Sequence, residues 1–594
     1  MKKTTRVLAL VLAIVMMLSL AACGGKTETP AATTGNTAAA PAETPATPAT
    51  PAEGENILRF ALAQDLETLD AQQNTAEYTQ SVAEGVTASL LREDNGVYTC
   101  DLAESYETND YINWTFKIRE NAAWSDGTPI TAHDFEYSWK QIFHRDECGK
   151  VHMLFDGIVG YDAIAAAMKE GKTGDELTAV IEENFAIDAV DDYTFTVQLE
   201  NARPWVLSTF ASTYTGPIKK DVYEANGTAY GSAVDKFAYC GAFYVSDWAY
   251  NEKVTLAPNP YYWNAENIKL DGVEIYIVKD VEPRVNMFKE GKILFARANS
   301  EYYETMAADS VAFEGSGWSY ILTNQYRVNA EGKPVNEEIS ALLANRDFIM
   351  ALSYAIDRET LYSAVITDPT KFATNLIVSG HLPLNDGKGT LVEDARAARN
   401  FENPVGLTAD EAIAKDYLQK AMDALGYTDV SQIPTITLVY GNGGEGKTIC
   451  EFIALSVEQY LGVKLETEPV EFNVRDSRII SGDYDLLTMG WGIDGVDGAE
   501  LFDPWYSDLF ATAWGTGHPD QYATFCEMMD KMNSTTDFAE RAELLLEIEE
   551  YLVQYGPFIT LNWSGDCGLM NKNLKDFYIR ETGATYNYVY ASVG

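Results

Sequence analysis

The segment from Gly441 to Thr448 contains the residue types of a phosphate-binding loop. Its letters, GNGGEGKT, fit the pattern G-x-x-x-x-G-K-T, between a segment with strand character and a segment with helical spacing. In such a loop, backbone N–H groups cradle phosphates, Lys447 supplies a counter-charge and Thr448 binds magnesium. Nucleotide binding is therefore the first chemistry that the sequence suggests.

Three features argue against nucleotide binding. Glu445, inside the loop, would repel a phosphate group. The chain begins with an export signal, described below, and nucleotides are scarce outside the cell. The loop also lies late in the chain, whereas a phosphate-binding domain of this kind continues with several strand–helix units. We expect the glycines to form an exposed turn, and nucleotide binding stays a remote alternative.

Histidines and cysteines show no spacing that is typical of a reactive or metal-binding site. The five histidines form neither H-x-x-x-H nor H-E-x-x-H, and no G-x-S-x-G motif is present. The six cysteines that follow Cys23 include no CxxC pair, so no zinc motif exists. Buried thiols explain them at least as well as disulfides. We predict a protein that is not an enzyme and has no cofactor and no metal.

The N-terminus has the parts of a secretory signal. Lys2, Lys3 and Arg6 precede an apolar run from Val7 to Leu20, and small residues follow this run. The run is shorter than the roughly 20 residues that a membrane-spanning helix needs. Residues 1–22 are therefore predicted to be a signal peptide.

The letters LAAC that end at Cys23 resemble the lipobox of bacterial lipoproteins. In those proteins the cysteine receives a diacylglyceryl group and becomes the new N-terminus, and two acyl chains anchor stably. The residues after Cys23, with repeated Ala-Thr-Pro units, cannot bury enough apolar surface to fold, and their prolines keep the linker extended. We expect Cys23 to be lipidated and residues 23–54 to tether the folded body.

The body is acidic and mixes strands with helices. The chain has 43 basic and 89 acidic residues and a net charge of −46, which argues against nucleic acid or an anionic lipid surface as partner. The body of about 540 residues exceeds what one hydrophobic core usually supports, so we expect more than one lobe. Periodicity predicts strands at 57–63, 114–119, 193–199, 273–278 and 435–440, and helices at 131–143, 346–355, 409–425, 448–461 and 538–554.

The strongest constellation lies between residues 114 and 139. WTFKIR at 114–119 is followed by WSDGTPITAHDFEYSW at 124–139, which predicts a strand, a tight turn and a capped helix that starts at Thr131. This string resembles the signature of extracellular solute-binding protein family 5, the peptide- and nickel-binding proteins of ABC importers. Further segments follow the order of the family: DLETLD at 65–70, CGAFY at 240–244, NPYYW at 259–263, ALSYAIDR at 351–358, GDYD at 482–485 and GWGID at 490–494.

The resemblance extends over residues 55–594 and implies an α/β fold with two lobes. This fold is the periplasmic-binding-protein type II class with an extra domain and a hinge between the lobes. Ligand contacts made to both lobes only in the closed state would close such a hinge, so the ligand shifts a population. The implied division is lobe I at 55–98, 216–322 and 557–594, the extra domain at 99–215, and lobe II at 323–556.

The resemblance also implies which residues hold a peptide. Peptide binders of the family hold the peptide as an added strand and fix its amino group with an aspartate three residues after a tryptophan. In this sequence these residues are Asp494 and Trp491. An ammonium group in a water-poor cleft needs a charged acceptor. Backbone groups at Gly492, Asn74 and Thr75 would pair with the peptide.

Several departures from the family leave the identity of the ligand open. The segment 290–295 reads EGKILF, so an aspartate usual in the family is missing, and Ala71 replaces a usual proline. Gly495, Asp497 and Glu500 around the amine site are also unusual. The alternative ligands within the family are nickel, a metal chelate or a sugar, and no residue is identified for the carboxylate of a peptide.

The implied partners are a peptide ligand and the permease subunits of an ABC importer, with no nucleic acid. We expect a monomer that is lipid-anchored on the extracellular face of the cytoplasmic membrane, which is the periplasm if an outer membrane is present.

Overall fold

The structure, a computed structural model, describes residues 56–73, 76–94, 97–149, 151–329, 333–366, 368–380, 382, 384, 390–399, 405–442, 445–493, 498–506, 514–579 and 586–594. The predicted signal peptide, Cys23 and the linker lie outside these residues. Among the residues described, no helix combines the length and the apolar character that crossing a membrane requires.

One mixed sheet of eleven strands extends through two lobes. Its longest strands, Ser310–Thr323 and Phe558–Met570, pair antiparallel with each other and connect the lobes; we name them the first and second crossing strands. The other strands are Ile57–Leu62, Phe243–Ala249, Lys253–Pro258, Gly272–Ile277 and Phe295–Arg297 in lobe I, and Lys371–Ala373, Ile436–Gly441, Leu465–Val470 and Leu486–Trp491 in lobe II.

The strand register fixes the direction of the parallel strands in lobe I. Ile57–Leu62 runs parallel to Gly272–Ile277 and to Phe295–Arg297. Phe295 pairs with Met570, and Arg297 pairs with Gly568 of the second crossing strand. Because residue 568 is nearer to lobe II than residue 570, the carboxyl ends of these strands point toward lobe II.

The register in lobe II gives the opposite direction. Leu486–Trp491 runs parallel to Ile436–Gly441 and antiparallel to the first crossing strand, where Leu486 pairs with Thr323 and Trp491 with Trp318. The carboxyl ends of the lobe II strands therefore point toward lobe I. The two carboxyl edges face each other across the crossing strands.

The crossing strands are irregular where they pass between the lobes. Their register shifts between Glu314 and Trp318, opposite Gly565 and Trp563, and shifts again between Ser319 and Tyr320. Such bulges interrupt the ladder and bend a strand. A Cβ atom on Gly565 would overlap the carbonyl oxygen of Phe313, so this close approach requires glycine. The bulge between Glu314 and Trp318 therefore interrupts the ladder at the boundary between the lobes.

A second sheet of four antiparallel strands corresponds to the extra domain. It contains Ala103–Glu107, Asn113–Ile118, Thr194–Gln198 and Ile187–Asp191, in this order. Trp114, Phe116 and Ile118 are buried and alternate with exposed residues, as the sequence predicts. The helix at Ala132–Gln141 begins where predicted, since Asp134 accepts a hydrogen bond from the backbone N–H of Thr131 at 2.8 Å. The limits 99–215 for this domain stay a prediction.

The helices and the short strand pairs complete the fold. The ten predicted segments agree with the observed strands and helices to within two residues at nearly every end, because their apolar periodicity matches their burial. All six cysteines after Cys23 are free thiols, and four of them are buried.

The helices are Glu77–Val86, Ala132–Gln141, Tyr161–Lys169, Gly174–Asn184, Leu207–Ala211, Lys220–Asn226, Val281–Lys289, Ser300–Thr305, Glu337–Ala344, Arg346–Tyr354, Arg358–Thr360, Val392–Arg399, Glu411–Leu425, Gly446–Leu461, Phe472–Ser481, Asp503–Tyr506, Pro519–Ser534 and Phe538–Tyr555; the short pairs are Leu91–Asp94 with Val97–Cys100, Leu574–Lys575 with Ser592–Val593, and Tyr578–Ile579 with Tyr586–Asn587.

A buried ion pair joins two helices of lobe II. Glu549, on Phe538–Tyr555, is fully buried and accepts hydrogen bonds from the backbone N–H groups of Ile377 and Val378 at 2.9 and 2.8 Å. The guanidinium of Arg396 donates to both of its carboxylate oxygens. Because every strong partner of Glu549 lies inside the protein, the loss of one partner leaves the others buried and unpaired.

Replacing Glu549 by alanine is expected to lower the free energy of unfolding by about 3–5 kcal/mol. The matched control is Glu543→Ala, because Glu543 lies on the same helix and pairs with Arg399, but its side chain is 59% exposed. An exposed pair contributes at most about 1 kcal/mol. Urea unfolding followed by tryptophan fluorescence measures both values. Equal losses in the two variants would contradict the role of burial.

Candidate interlobe ligand site

The facing carboxyl edges of the two lobes define the candidate site. In α/β sheets, ligands bind in the crevice outside the carboxyl ends of the strands, where the strand order reverses. Ile436–Gly441 lies between Leu465–Val470 and Leu486–Trp491 in lobe II, so the reversal places a crevice near Gly441 and Trp491. The carboxyl ends of the lobe I strands lie on the other side of the crossing strands.

Trp491 and Gly492 lie at the lobe II edge, where the strand Leu486–Trp491 ends. Trp491 is half-buried and lies opposite Trp318 of the first crossing strand. A Cβ atom on Gly492 would lie 3.4 Å from the Cα of Gly317, which belongs to the same crossing strand. The structure therefore brings two of the predicted site residues to the place where the lobes meet.

Three further predicted residues, Asp494, Asn74 and Thr75, lie outside the described residues. Their nearest described neighbours are Ile493 on the lobe II side, and Gln73 and Ala76 on the lobe I side. On the lobe II side the chain leaves the strand after Trp491. On the lobe I side the helix Glu77–Val86 begins immediately after the segment with Asn74 and Thr75.

The start of that lobe I segment is anchored by buried polar contacts. The amide of Gln72 donates to the hydroxyl of Ser138 at 3.1 Å and to the carbonyl oxygen of Tyr214 at 2.9 Å. The guanidinium of Arg145 donates to Gln72 at 2.8 Å and also pairs with Asp70. These contacts join lobe I to the extra domain, so the backbone that precedes Asn74 is held in place.

A charged cluster at the carboxyl edge of lobe I was not predicted from the sequence. Glu77 begins its helix, Arg297 ends its strand, and Asp566 lies on the second crossing strand. The guanidinium of Arg297 lies 2.7 Å from the carboxylate of Glu77 and 2.6 Å from that of Asp566. Arg284, on the neighbouring helix, completes the cluster. The one sequence signal near this cluster was the segment EGKILF at 290–295, which departs from the family pattern just before Arg297.

Burial governs the electrostatics of the two carboxyl groups in this cluster. Burial raises the pKa of Glu77 and the pKa of Asp566, and the adjacent Arg297 opposes this shift without cancelling it. Both groups therefore take up a proton more readily in the folded protein than in the unfolded chain.

The lobe II side of the crossing strands carries further charges. Lys371 pairs with Ser564 in the sheet, and the carbonyl oxygen of Thr370 accepts from the backbone N–H of Gly565 at 2.8 Å. Burial, together with the nearby Asp368, raises the pKa of Glu445 at the start of Gly446–Leu461. Acidic groups therefore lie on both sides of the boundary between the lobes.

The phosphate-loop pattern begins at the end of the strand Ile436–Gly441 and ends in the helix Gly446–Leu461, and the predicted turn at Gly443 and Gly444 lies outside the described residues. However, Lys447 lies 3.8 Å from Glu451 on its own helix, and both side chains are largely exposed. The half-buried Glu445 directly precedes this helix, and its negative charge at the helix N-terminus would repel a phosphate group. Among the described residues, no three His, Cys, Asp or Glu side chains are grouped as around a metal ion.

Two lobes joined by crossing strands, with facing carboxyl edges and an extra domain, define a periplasmic-type solute-binding protein. Residues 98–513 match the family described as "Bacterial extracellular solute-binding proteins, family 5 Middle". The chain belongs to this family, as the resemblance at 114–139 predicts.

Relatives and solved structures agree with this assignment. The chain is 25% identical over 492 residues to the oligopeptide-binding protein OppA of Bacillus subtilis, covering 82% of this chain and 83% of that protein. It is 26% identical over 479 residues to the dipeptide-binding protein DppE of the same organism, covering 80% of each. The structure of MppA, a periplasmic murein tripeptide binding protein in an unliganded open form, matches with a TM-score of 0.75 at 18% identity, over 91% of this chain and 98% of that one. Listeria monocytogenes OppA bound to peptide matches with a TM-score of 0.60 at 22% identity, over 91% and 99%.

The raised pKa values predict how the stability of the ligand-free protein depends on pH. The folded state binds these protons more tightly than the unfolded chain, so the free energy of unfolding falls as pH rises from the ordinary pKa of Glu77, 4.5, through its raised value. Glu77→Gln keeps an acceptor for Arg297 but cannot ionise, and is expected to remove part of this fall. Urea-unfolding midpoints across this pH range measure it.

Glu282→Gln is the matched control for this experiment. Glu282 is exposed on the neighbouring helix Val281–Lys289, so its replacement should leave the pH dependence of the free energy of unfolding unchanged. If Glu77→Gln and the original protein show the same pH dependence, the cluster does not contribute to it.

Proposed function

We propose that the chain is the substrate-binding lipoprotein of an ABC importer and captures peptides between its two lobes. The observation that carries this proposal is the register of the sheet, which turns the carboxyl edges of both lobes toward one crevice. Trp491 and Gly492 stand on one side of this crevice, and the helix that begins at Glu77, shortly after Asn74 and Thr75 in the sequence, starts on the other side.

Family membership and the names of relatives support a peptide as the ligand. The Bacillus subtilis relatives are named for oligopeptide and dipeptide binding, and each is covered over at least 80% of its length. The Listeria protein with the same fold was solved with a peptide. An extended peptide suits a site at the ends of strands, because its main chain can pair with exposed backbone groups.

In this proposal Asp494 binds the amino terminus of the peptide. In the sequence it follows Trp491, the last residue of the lobe II strand, by three residues. Closure of the lobes removes water from the crevice, and the attraction between ammonium and carboxylate is stronger there than in bulk water. Gly492, Asn74 and Thr75 contribute backbone groups on the two sides of the peptide.

We place the hinge that allows capture at the bulge between Glu314 and Trp318 in the crossing strands. A peptide that contacts both edges binds the closed form better than the open form, and only this difference in affinity can shift the population. Lipidation at Cys23 and the linker at 23–54 keep the captured peptide close to the membrane, where an ABC permease would receive it.

Asp494→Asn is expected to weaken peptide binding by about thirtyfold or more, because it leaves a buried ammonium without a charged partner. Isothermal titration with the peptide that co-purifies with the original protein, identified by mass spectrometry, measures the change. The matched control is Asp520→Asn, the same charge change at an exposed position of the lobe II helix Pro519–Ser534, and its affinity should stay within about threefold. Unchanged binding by Asp494→Asn would remove this residue from the site.

Cys23→Ala is expected to release the protein from the membrane fraction into the soluble extracellular fraction. Two acyl chains hold a protein on a bilayer, and the variant carries none. Fractionation of cells that export either form measures the distribution. The variant should bind peptide normally, because the linker separates Cys23 from the folded body. Membrane attachment of the variant would contradict the lipid anchor.

A further inference from the structure

Arg284 has an unusual position in the charged cluster of lobe I. It lies in the first turns of the helix Val281–Lys289, which follows the parallel strand Gly272–Ile277. It therefore stands at the carboxyl edge that faces lobe II. Its side chain is buried, with the residue only 6% exposed.

The other charges of the cluster are already paired. Arg297 donates a hydrogen bond to Glu77 and forms an ion pair with Asp566. Arg284 makes no hydrogen bond or ion pair to any residue of the described ranges, and its Nε atom is buried without an acceptor. Burial and the like charge of Arg297 lower the pKa of the Arg284 guanidinium.

Arg284 differs from the other buried arginines because it donates no hydrogen bond within the described residues. The other five buried arginines of the described chain all donate to protein acceptors: Arg92 to Asn587, Arg145 to Gln72, Arg358 to Thr560, Arg396 to Glu549 and Arg541 to Met532. A buried cation without an acceptor destabilises the folded state. The carboxylates of Glu77 and Asp566 attract Arg284 at longer range, but no hydrogen bond within the described residues compensates for the burial of its Nε atom.

We propose that Arg284 binds a carboxylate of the ligand, a proposal that rests on the peptide-binding function above. A guanidinium offers a planar pair of donors that matches a carboxylate, and the match is strongest where water is excluded. Asp494 in lobe II takes the amino group, so a peptide held across the crevice has opposite charges at the two edges. The carboxylate is either the C-terminus of the peptide or an acidic side chain.

Three peptide pools test this assignment and distinguish the two sources. The first has free C-termini, the second has the same sequences with C-terminal amides, and the third is amidated but enriched in glutamate. Thermal unfolding of the full mature protein is followed as each pool is titrated, since a ligand raises the melting temperature by mass action. The amidated pool is expected to require at least about a tenfold higher concentration for the same shift.

Arg284→Met is expected to abolish this preference, so that all three pools act at the same concentration. Without ligand, Arg284→Met should unfold at a higher temperature than the original protein, because a buried unpaired charge has been removed. Lys289→Gln removes a positive charge from an exposed position of the same helix and should keep the original preference. If Arg284→Met does not fold, Arg284→Lys replaces it and should show a reduced preference, because it keeps the charge but loses the planar pair of donors.

The outcomes separate the inference from the proposed function. Recovery of the shift with the glutamate pool assigns the carboxylate to a side chain, and no recovery assigns it to the C-terminus; both support the inference. If the original protein binds the pools but Arg284→Met keeps the preference, or no preference exists, Arg284 is not the carboxylate site while peptide binding stands. If no pool shifts the original protein, the proposed function fails and the inference fails with it.

Discussion

The antiparallel pairing of the two crossing strands determines which edges of the two lobes face each other. Because Arg297 lies opposite Gly568 and Trp491 lies opposite Trp318, the parallel strands of both lobes end at the same gap. Helix starts, strand ends and their connecting segments therefore converge there from both sides. The charged cluster around Arg297 and the positions of Trp491 and Gly492 are consequences of this register, and neither requires a special local sequence to be brought to the boundary between the lobes.

Several motifs that identify the family have structural roles in this protein. Arg358, the last residue of ALSYAIDR, donates to the carbonyl oxygen of Thr560 in the second crossing strand at 2.7 Å and lacks a carboxylate partner within the described ranges. In NPYYW, Tyr262 and Trp263 donate to the buried carboxylate of Asp101 at 2.8 and 2.6 Å. These contacts connect segments that are far apart in the sequence. In this protein, these two family motifs therefore stabilise the assembly of the folded body.

The sequence predicts local elements well because their periodicity reflects burial, as at Trp114, Phe116 and Ile118. The resemblance added the two lobes and placed Trp491 and Gly492 at the gap between them. The cluster of Glu77, Arg284, Arg297 and Asp566 was not predictable, because its members are separated by up to nearly the whole folded body and meet only through strand pairing. A lone arginine in a helix also gives no sign in the sequence that it will be buried without a partner.

The irregular ladder between Glu314 and Trp318 has a consequence for ligand release. A regular sheet at this position would lose hydrogen bonds whenever the lobes swung apart, and reopening would then be slow. Here the interruption is already part of the fold, so in the proposed function the contacts of the ligand supply most of the barrier to reopening. Turning a mostly open population into a mostly closed one needs a differential affinity of about 5.5 kcal/mol. In the proposed function, a weakly held ligand therefore leaves the crevice quickly, and residence time, more than sheet mechanics, decides which molecules stay bound.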